Sequence, residues 1–578
     1  MDIKRGLLWM VFLFSVLTLW SQWNIYNGKP PLFGPKPPSA STAAASASAG
    51  APAPAGTTPA ANGTTGSTPG TATTASASPT EPPFKAEDVT VTTDVFKATF
   101  DTAGAKLKRL ELLQYQETKA EWLGDVVMDK FHGVQEQKDR PNVVIFDSTA
   151  ERTYLAETGL TDAGLPGIDS GYTVRPGDRT LANGDTVQLV FDAEKNGVKL
   201  TKTFTFKRGQ YAIDVKHDVT NNTAAAIAPT LDLRLVRDGT LPKNPRFAPN
   251  PYTGPAASSD TKSFEKQPFE KIAKNEDAPV KQSNNGWVAM VQHFFVSAFV
   301  PPANTAREVY TKAVGPNLYA IGNTLHYPSI APGATGSIDT TLYSGPQDTA
   351  ALDKISSTLN LTRDYGMFKI VAQPIFMIMD LLHKAIGNWG WTIIVFTVLM
   401  KIVLYPLAAS SFRSMAKTKQ LQPKMTSIRE RHKDDPQKMN QAMMELYKTE
   451  KINPLGGCLP LLVQMPIFIA LYSVLSASVE TRDAAWIGWV HDLSTPDPYS
   501  ILPLIMAVAM FFQTKLSPAP PDPTQAKVMM FMPIVFSVMF FMFPSGVVLY
   551  YVVNTVLSIA QQQFINKRLA TAPVAKKA

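Results

Sequence analysis

Trp389-Gly-Trp-Thr-Ile-Ile-Val-Phe-Thr-Val-Leu-Met-Lys-Ile-Val-Leu-Tyr-Pro-Leu407 carries a single charge, Lys401, inside an otherwise apolar run. As a helix rising about 1.5 Å per residue, the run is long enough to enter a hydrocarbon layer of about 30 Å, and Lys401 falls about 15 Å beyond Trp391, near the middle. A lysine at that depth costs about 3 kcal/mol on insertion scales, so its ammonium must meet water or a partner. Snorkelling is the alternative, but the polar flank begins only at Ser410, about 14 Å further on, beyond the comfortable reach of one side chain. Lys401 is therefore the first candidate for a functional residue.

Working outward, the 578 residues are too many for one compact domain, and a mean hydropathy near zero is what mixed greasy and polar sections produce. The net charge of +8 gathers beside apolar runs and accompanies no nucleic-acid recognition motif. The single cysteine, Cys458, excludes an intramolecular disulfide, an all-cysteine zinc site and an amino-terminal lipoprotein anchor. Residues 1–27 read as an uncleaved signal-anchor span: Lys4 and Arg5 precede an apolar stretch, and Trp20, Trp23 and Tyr26 follow as an interfacial belt. Residues 28–83, rich in Ala, Ser, Thr, Pro and Gly, have too little to bury and read as a disordered tether.

Residues 84–361 change texture. Phe96, Ala98 and Phe100 alternate with Lys97, Thr99 and Asp101, while Val198, Leu200, Phe204 and Phe206 share one parity against Lys199, Thr201, Thr203 and Thr205. Strands with one buried face follow, and a β-sandwich is the expected architecture. This region contains no zinc-helix motif, no G-x-S-x-G elbow and no P-loop, and a lone strand histidine such as His217 reads as a surface residue. Residues 362–388 are apolar but interrupted by Lys369, Pro374, Asp380 and His383, which predicts an amphipathic helix lying on the membrane surface.

Five further spans are expected within 389–568, at 389–409, 456–478, 499–516, 528–543 and 547–565, giving six spans in all. The loop 412–452 holds ten basic residues against five acidic ones and belongs in the cytosol, whereas Glu480, Asp483, Asp492 and Asp497 against Arg482 place the next loop outside. Both termini, including the basic tail 569–578, then lie in the cytosol, with the β-domain outside. Within 412–452, Leu421, Met425 and Ile428, then Met439, Met443 and Leu446, recur at helical spacing around Asp434-Asp435-Pro436, which predicts a helical hairpin. Its basic face, Lys417, Lys419, Lys424, Arg429, Arg431 and Lys433, is a candidate recruitment surface or an ordinary solvated one. Three polar stripes accompany Lys401: Thr397, Lys401 and Tyr405; Gln464, Phe468, Tyr472 and Ser476; Tyr551, Asn554, Ser558 and Gln562. One stripe alone would be explained by interhelical hydrogen bonds, while three beside a midplane cation suggest a shared wet cavity.

Asn453-Pro-Leu-Gly-Gly-Cys-Leu-Pro460, Gln464-Met-Pro-Ile-Phe468, Phe543-Pro-Ser-Gly-Val-Val-Leu-Tyr-Tyr551 and Leu421-Gln-Pro-Lys424 resemble the signature segments of the YidC/Oxa/Alb family of insertases. The resemblance covers Asp364 to Arg568, and the anchor, tether and outside domain are similar to the Gram-negative form. It implies a hydrophilic groove, open to cytosol and lipid and closed toward the outside, in the bacterial inner membrane. Lys401, Thr397, Gln464, Phe468, Tyr472, Tyr550, Tyr551, Asn554 and Ser558 would form the groove. Nascent membrane proteins would be its substrates, and the Sec translocon, ribosome, targeting receptor and anionic lipids its partners. No cofactor, metal, enzymatic step or specific nucleic-acid recognition is implied. Lys401 stands where the family often has Arg, which keeps the charge and loses the bidentate fork.

Two other classes account for parts of the pattern. A secondary transporter would explain a midplane charge, but the five spans show no internal repeat with paired broken helices. An outside enzyme on a passive anchor would explain the β-region, but a passive anchor has no use for a buried lysine. The topology is checked by single cysteines replacing Lys433 and Asp492 in a Cys458→Ser background. Impermeant thiol reagents should reach the first only from the cytosolic side and the second only from the other; labelling of both from one side would overturn the span count.

Overall fold

The computed structural model describes residues 84–117, 140–149, 151–182, 184–241, 252–276, 279–433, 435–450, 459–516, 531, 537 and 539–571. The expected anchor 1–27, the tether 28–83, the Asn453 to Cys458 motif, most of the span 528–543 and the end of the basic tail lie outside the described residues.

Among these residues the strands gather into two antiparallel sheets. One runs Asp88–Thr92, Phe96–Asp101, Lys106–Gln116, Thr153–Leu160, Thr230–Asp238, Leu318–His326, Arg307–Gly315 and Gln282–Ser283 in spatial order. The other runs Glu265–Lys266, Gly254–Ala257, Val288–Val291, Phe295–Val300, Thr335–Pro346, Ala212–Asn221, Val198–Lys207, Thr186–Lys195 and Thr173–Val174. Alternation sets their faces: Phe96, Ala98 and Phe100 point inward from one sheet, and Val198, Leu200, Phe204 and Phe206 from the other. The faces meet through aromatic rings, with Phe100 at 4.7 Å from Phe204 and 5.9 Å from Phe191, and Phe96 at 6.0 Å from Phe206. Each such buried ring contributes about 1.5–3 kcal/mol. A further layer covers the back of the second sheet, where the helix Thr349–Ile355 and the turn Leu359–Thr362 pack on Trp287 and Tyr343.

Polar side chains interrupt the inner pattern, Lys202 and His217 among them. Lys202 occupies a core-facing position and is fully buried, donating to the Gly104 and Thr158 carbonyls with its ammonium 4.1 Å from the Tyr172 ring centre. His217, directly opposite it in the strand register, is also fully buried, which corrects the expectation of a surface histidine. Its strand parity, shared with Ile213, Val215 and Val219, turns it into the interior.

The helical part follows. We label its helices α1 (Lys369–Ile386), α2 (Trp389–Val403), α3 (Tyr405–Arg431), α4 (Pro436–Thr449), α5 (Leu459–Ala477), α6 (Ile501–Leu516) and α7 (Ser545–Thr571). Gly387 ends α1 at φ 75°, a conformation that suits glycine, and Asn388 caps α2 by accepting from the Trp391 N–H at 3.1 Å. The apolar run expected at 389–409 breaks at Leu404, because Pro406 cannot donate to the preceding turn and its ring crowds it; α2 and α3 are bent by 66°. No single helix among the described residues is long and apolar enough to cross a membrane, whereas this bent pair satisfies the same criterion together. Pro436 opens α4 behind Asp435, whose carboxylate accepts from the Gln437 and Lys438 N–H groups, and α4 returns along α3 through Leu421, Met425, Met443, Leu446 and Tyr447.

The buried Lys202 makes stability depend on pH. Burial pushes its ammonium from 10.5 down to about 7, with Glu157 opposing. Between these values the unfolded chain holds a proton that the folded domain has released, so stability should rise with pH across that window, by at most about 1.4 kcal/mol per pH unit, and the contribution is lost as pH falls through about 7. Denaturant unfolding of the protein in detergent between pH 7 and 10 should show this rise, and Lys202→Met should flatten it. Equal slopes for both proteins would mean that Lys202 titrates as an exposed lysine.

Candidate functional site

Lys401 lies in the last turn of α2, facing α7. Its Nζ donates to Ser558 Oγ at 2.6 Å, and Ser558 Oγ donates in turn to the Asn554 carbonyl at 2.7 Å. The four-residue spacing of Asn554 and Ser558 brings these two groups onto one helical face. Ser558 and Asn554 are buried, so the lysine is held by its aliphatic stem and one hydroxyl rather than by a carboxylate.

Beside this pair is a recess of about 340 Å³ lined by Val398, Lys401, Ile402, Tyr405, Leu557 and Gln561. Its rim is open: Ile402 is 64% exposed and Tyr405 39%. Among the described residues the buried Gln561 Oε1 has no hydrogen-bond partner, which leaves an acceptor in the lining that also holds Lys401. The recess thus combines a mostly apolar wall with one cation, one amide and one phenol hydroxyl, a lining suited to an extended chain carrying a polar group.

The remaining candidates form a second cluster. Phe468 of α5 lies 4.6 Å from Tyr551 of α7, Tyr472 lies 5.4 Å from Phe543, and Phe540 lies 4.8 Å from Tyr551. Tyr550 is buried beside Tyr551 at 5.6 Å, with Gln464 near its hydroxyl. Thr397 is buried one turn before Lys401, its hydroxyl donating to the Ile393 carbonyl at 2.7 Å. The geometry therefore joins Lys401, Ser558 and Asn554 in one network, joins Phe468, Tyr472, Tyr550, Tyr551 and Gln464 in another, and gives the recess none of the second group as lining. Val398, Ile402, Leu557 and Gln561 were not singled out from the sequence. Val398 precedes Lys401 by three residues and Ile402 follows Val398 by four, and Gln561 follows Ser558 by three, so extending the stripes along their edges would have found them.

Local packing fixes α2 against its neighbours. A Cβ on Gly390 would lie 2.1 Å from Trp486 Cδ1, so only glycine admits that indole, and Asn388 Nδ2 donates to the Ala485 carbonyl at 3.0 Å. On the far side, Lys417, Lys419, Lys424, Arg431 and Lys433 are exposed along α3 and its end, Arg429 is half-buried, and Lys424 pairs with Glu450 at 2.8 Å.

The 60Kd inner membrane protein family matches residues 381–572, and the YidC periplasmic domain family matches residues 123–378. A membrane protein insertase YidC of Janthinobacterium sp. (strain Marseille) is 51% identical over 98% of this chain and 99% of its own. One from Cupriavidus metallidurans is 49% identical over 100% of both chains. A solved structure of an active YidC insertase with its first transmembrane domain resolved covers 82% of this chain and 91% of its own, at 20% identity and a TM-score of 0.38. Identity near one half over the whole length of both sequences leaves one conclusion: the chain belongs to the YidC family of membrane protein insertases.

Proposed function

We propose that the protein inserts nascent transmembrane segments into the inner membrane, and that the recess beside Lys401 receives the polar flank of the incoming chain. The observation that carries this reading is a cation within an apolar helix, held among the described residues by the Ser558 hydroxyl alone and opening onto a recess that also carries the Gln561 amide and the Tyr405 hydroxyl. The names of the full-length relatives support the same activity.

Magnitudes divide the labour. A client helix of about 20 apolar residues gains about 0.5 kcal/mol per residue on entering lipid, about 10 kcal/mol in all, so insertion needs no chemical energy source. The obstacle is the polar flank, where each charge at the centre of the bilayer costs about 3 kcal/mol. A hydrated recess lowers that barrier, and Lys401 attracts acidic residues of the flank. Asn554, Thr397 and Gln464 supply further polar groups along the path, and the Phe468, Tyr472, Tyr550 and Tyr551 cluster supplies adaptable apolar contact. In this reading α1 lies on the membrane surface, since Ile370, Met377 and Leu381 are 87%, 70% and 69% exposed. The chain spans the membrane six times with the β-domain in the periplasm. The α3 and α4 pair projects into the cytosol, where its basic face meets nascent chain, ribosome, targeting receptor or anionic lipid, and the Sec translocon shares some clients.

Hydration and charge are tested separately. In proteoliposomes, cysteines at Leu557 and Gln561 in a Cys458→Ser background should react with water-soluble thiol reagents, while those at Leu504 and Val508, exposed on α6 but facing lipid in this reading, should not. Equal protection of all four would place the recess in lipid. Lys401→Arg should keep activity, and Lys401→Ala should impair clients with acidic flanks more than clients with neutral ones; equal impairment would exclude direct attraction.

A further inference from the structure

The carboxy-terminal end of α5 is tied to the start of α1 by a buried ion pair. Arg363, six residues before α1, is 3% exposed, and its Nη2 lies 2.6 Å from Glu480 Oε1. Glu480 sits in the turn Val479–Thr481 directly after α5, where Thr481 Oγ1 donates to the Leu475 and Ser478 carbonyls at 3.0 and 2.8 Å and so locks the turn onto the helix. Two further donors of the guanidinium go to the Gln347 carbonyl and the Tyr365 hydroxyl, and its carbon lies 4.5 Å from the Phe376 ring centre on α1. One side chain therefore touches the residue that follows the strand Thr335–Pro346, the linker, α1 and the turn after α5. The β-domain adds two contacts at the same place: His293 Nε2 lies 2.7 Å from the Ser476 carbonyl, and Arg482 lies 5.4 Å from the ring centres of both Phe294 and Phe295.

An ion pair this buried gains little over well-packed apolar residues, so stability alone is a weak reason for it, whereas it fixes geometry because neither partner can leave without stranding the other's charge. The helix whose angle it sets carries Gln464, Phe468 and Tyr472. We propose that Arg363 is a positioning residue for insertion: through Glu480 it clasps the end of α5 to α1 and so holds the aromatic cluster at the orientation in which it receives the client. This rests on the insertase reading above. Arg363 and Glu480 both lie outside 84–361, so the clasp is built between the linker and the helical part and only reinforced by the sheets.

The experiment uses the full chain in proteoliposomes with an in vitro synthesised single-span client, and nitroxide labels at Leu381 on α1 and Met465 on α5 for distance measurement by pulsed EPR. Glu480→Met alone strands a buried guanidinium and should lower the amount of folded protein. The double variant Arg363→Met with Glu480→Met removes both charges and should fold to wild-type levels, yet show a broadened α1–α5 distance and lose insertion. Glu480→Gln, which keeps the shape, should show a smaller broadening and a partial loss. A double variant that inserts like the wild type, or that loses insertion with an unchanged distance distribution, would overturn the proposal, as would an unchanged Glu480→Gln protein if the double variant does not accumulate. Failure of the wild-type protein to insert the client would instead overturn the insertase reading, while the distances would still decide whether the clasp exists.

Discussion

A cation on an apolar helix is the constraint around which the helical part is arranged. Lys401 cannot face hydrocarbon without a penalty of about 3 kcal/mol, so α2 must turn it toward α7, and α7 must present a small hydroxyl at the right height. Ser558 does this at 2.6 Å, and its own bond to the Asn554 carbonyl fixes the rotamer. The hydroxyl satisfies one of the three ammonium donors. A carboxylate in its place would neutralise the site; a hydroxyl leaves the positive charge available to something that enters the recess.

The break at Leu404 makes that availability possible. By ending α2 just beyond Lys401 and turning α3 through 66°, Pro406 opens the wall where Ile402 and Tyr405 form the rim. On the other side of the helical part the constraint is reversed. Arg363 is paired with Glu480 and also donates to Gln347 and Tyr365, so its charge is met within the protein. Lys401 keeps ammonium donors beyond its bond to Ser558, whereas the Arg363 charge is met by a carboxylate; in the proposed reading the first binds and the second positions.

Parity and capping were legible in the sequence because they are local. Phe96 to Phe100 and Val198 to Phe206 declare their buried faces by alternation alone, and Asp435-Pro436 declares a helix start. What was not legible depends on partners far along the chain. Lys202 shares the core parity but reads as an exception until Gly104 and Thr158, remote in sequence, converge their carbonyls on it. His217 follows the same parity inward, and a composition-based expectation for histidine overrode it. Pro406 stood in plain view, but whether a proline kinks one helix or starts another is decided by what surrounds it. At the site, Lys401 announced itself by its cost. Gln561 and Leu557 did not, since a glutamine and a leucine on an apolar helix acquire meaning only when α2 is laid against them. Arg363 and Glu480 were visible as charges, and nothing local joins residues on either side of five helices.

The central claim is that the client's polar flank occupies the recess during insertion. A photoreactive residue at Gln561, with ribosome-stalled clients of increasing length, tests it directly. Crosslinks to the flank should appear at intermediate lengths and vanish once the apolar segment is fully in lipid, and excess acidic flank peptide should compete with them. Completed insertion with no crosslink at any length would contradict the account and place the insertion path elsewhere on the molecule.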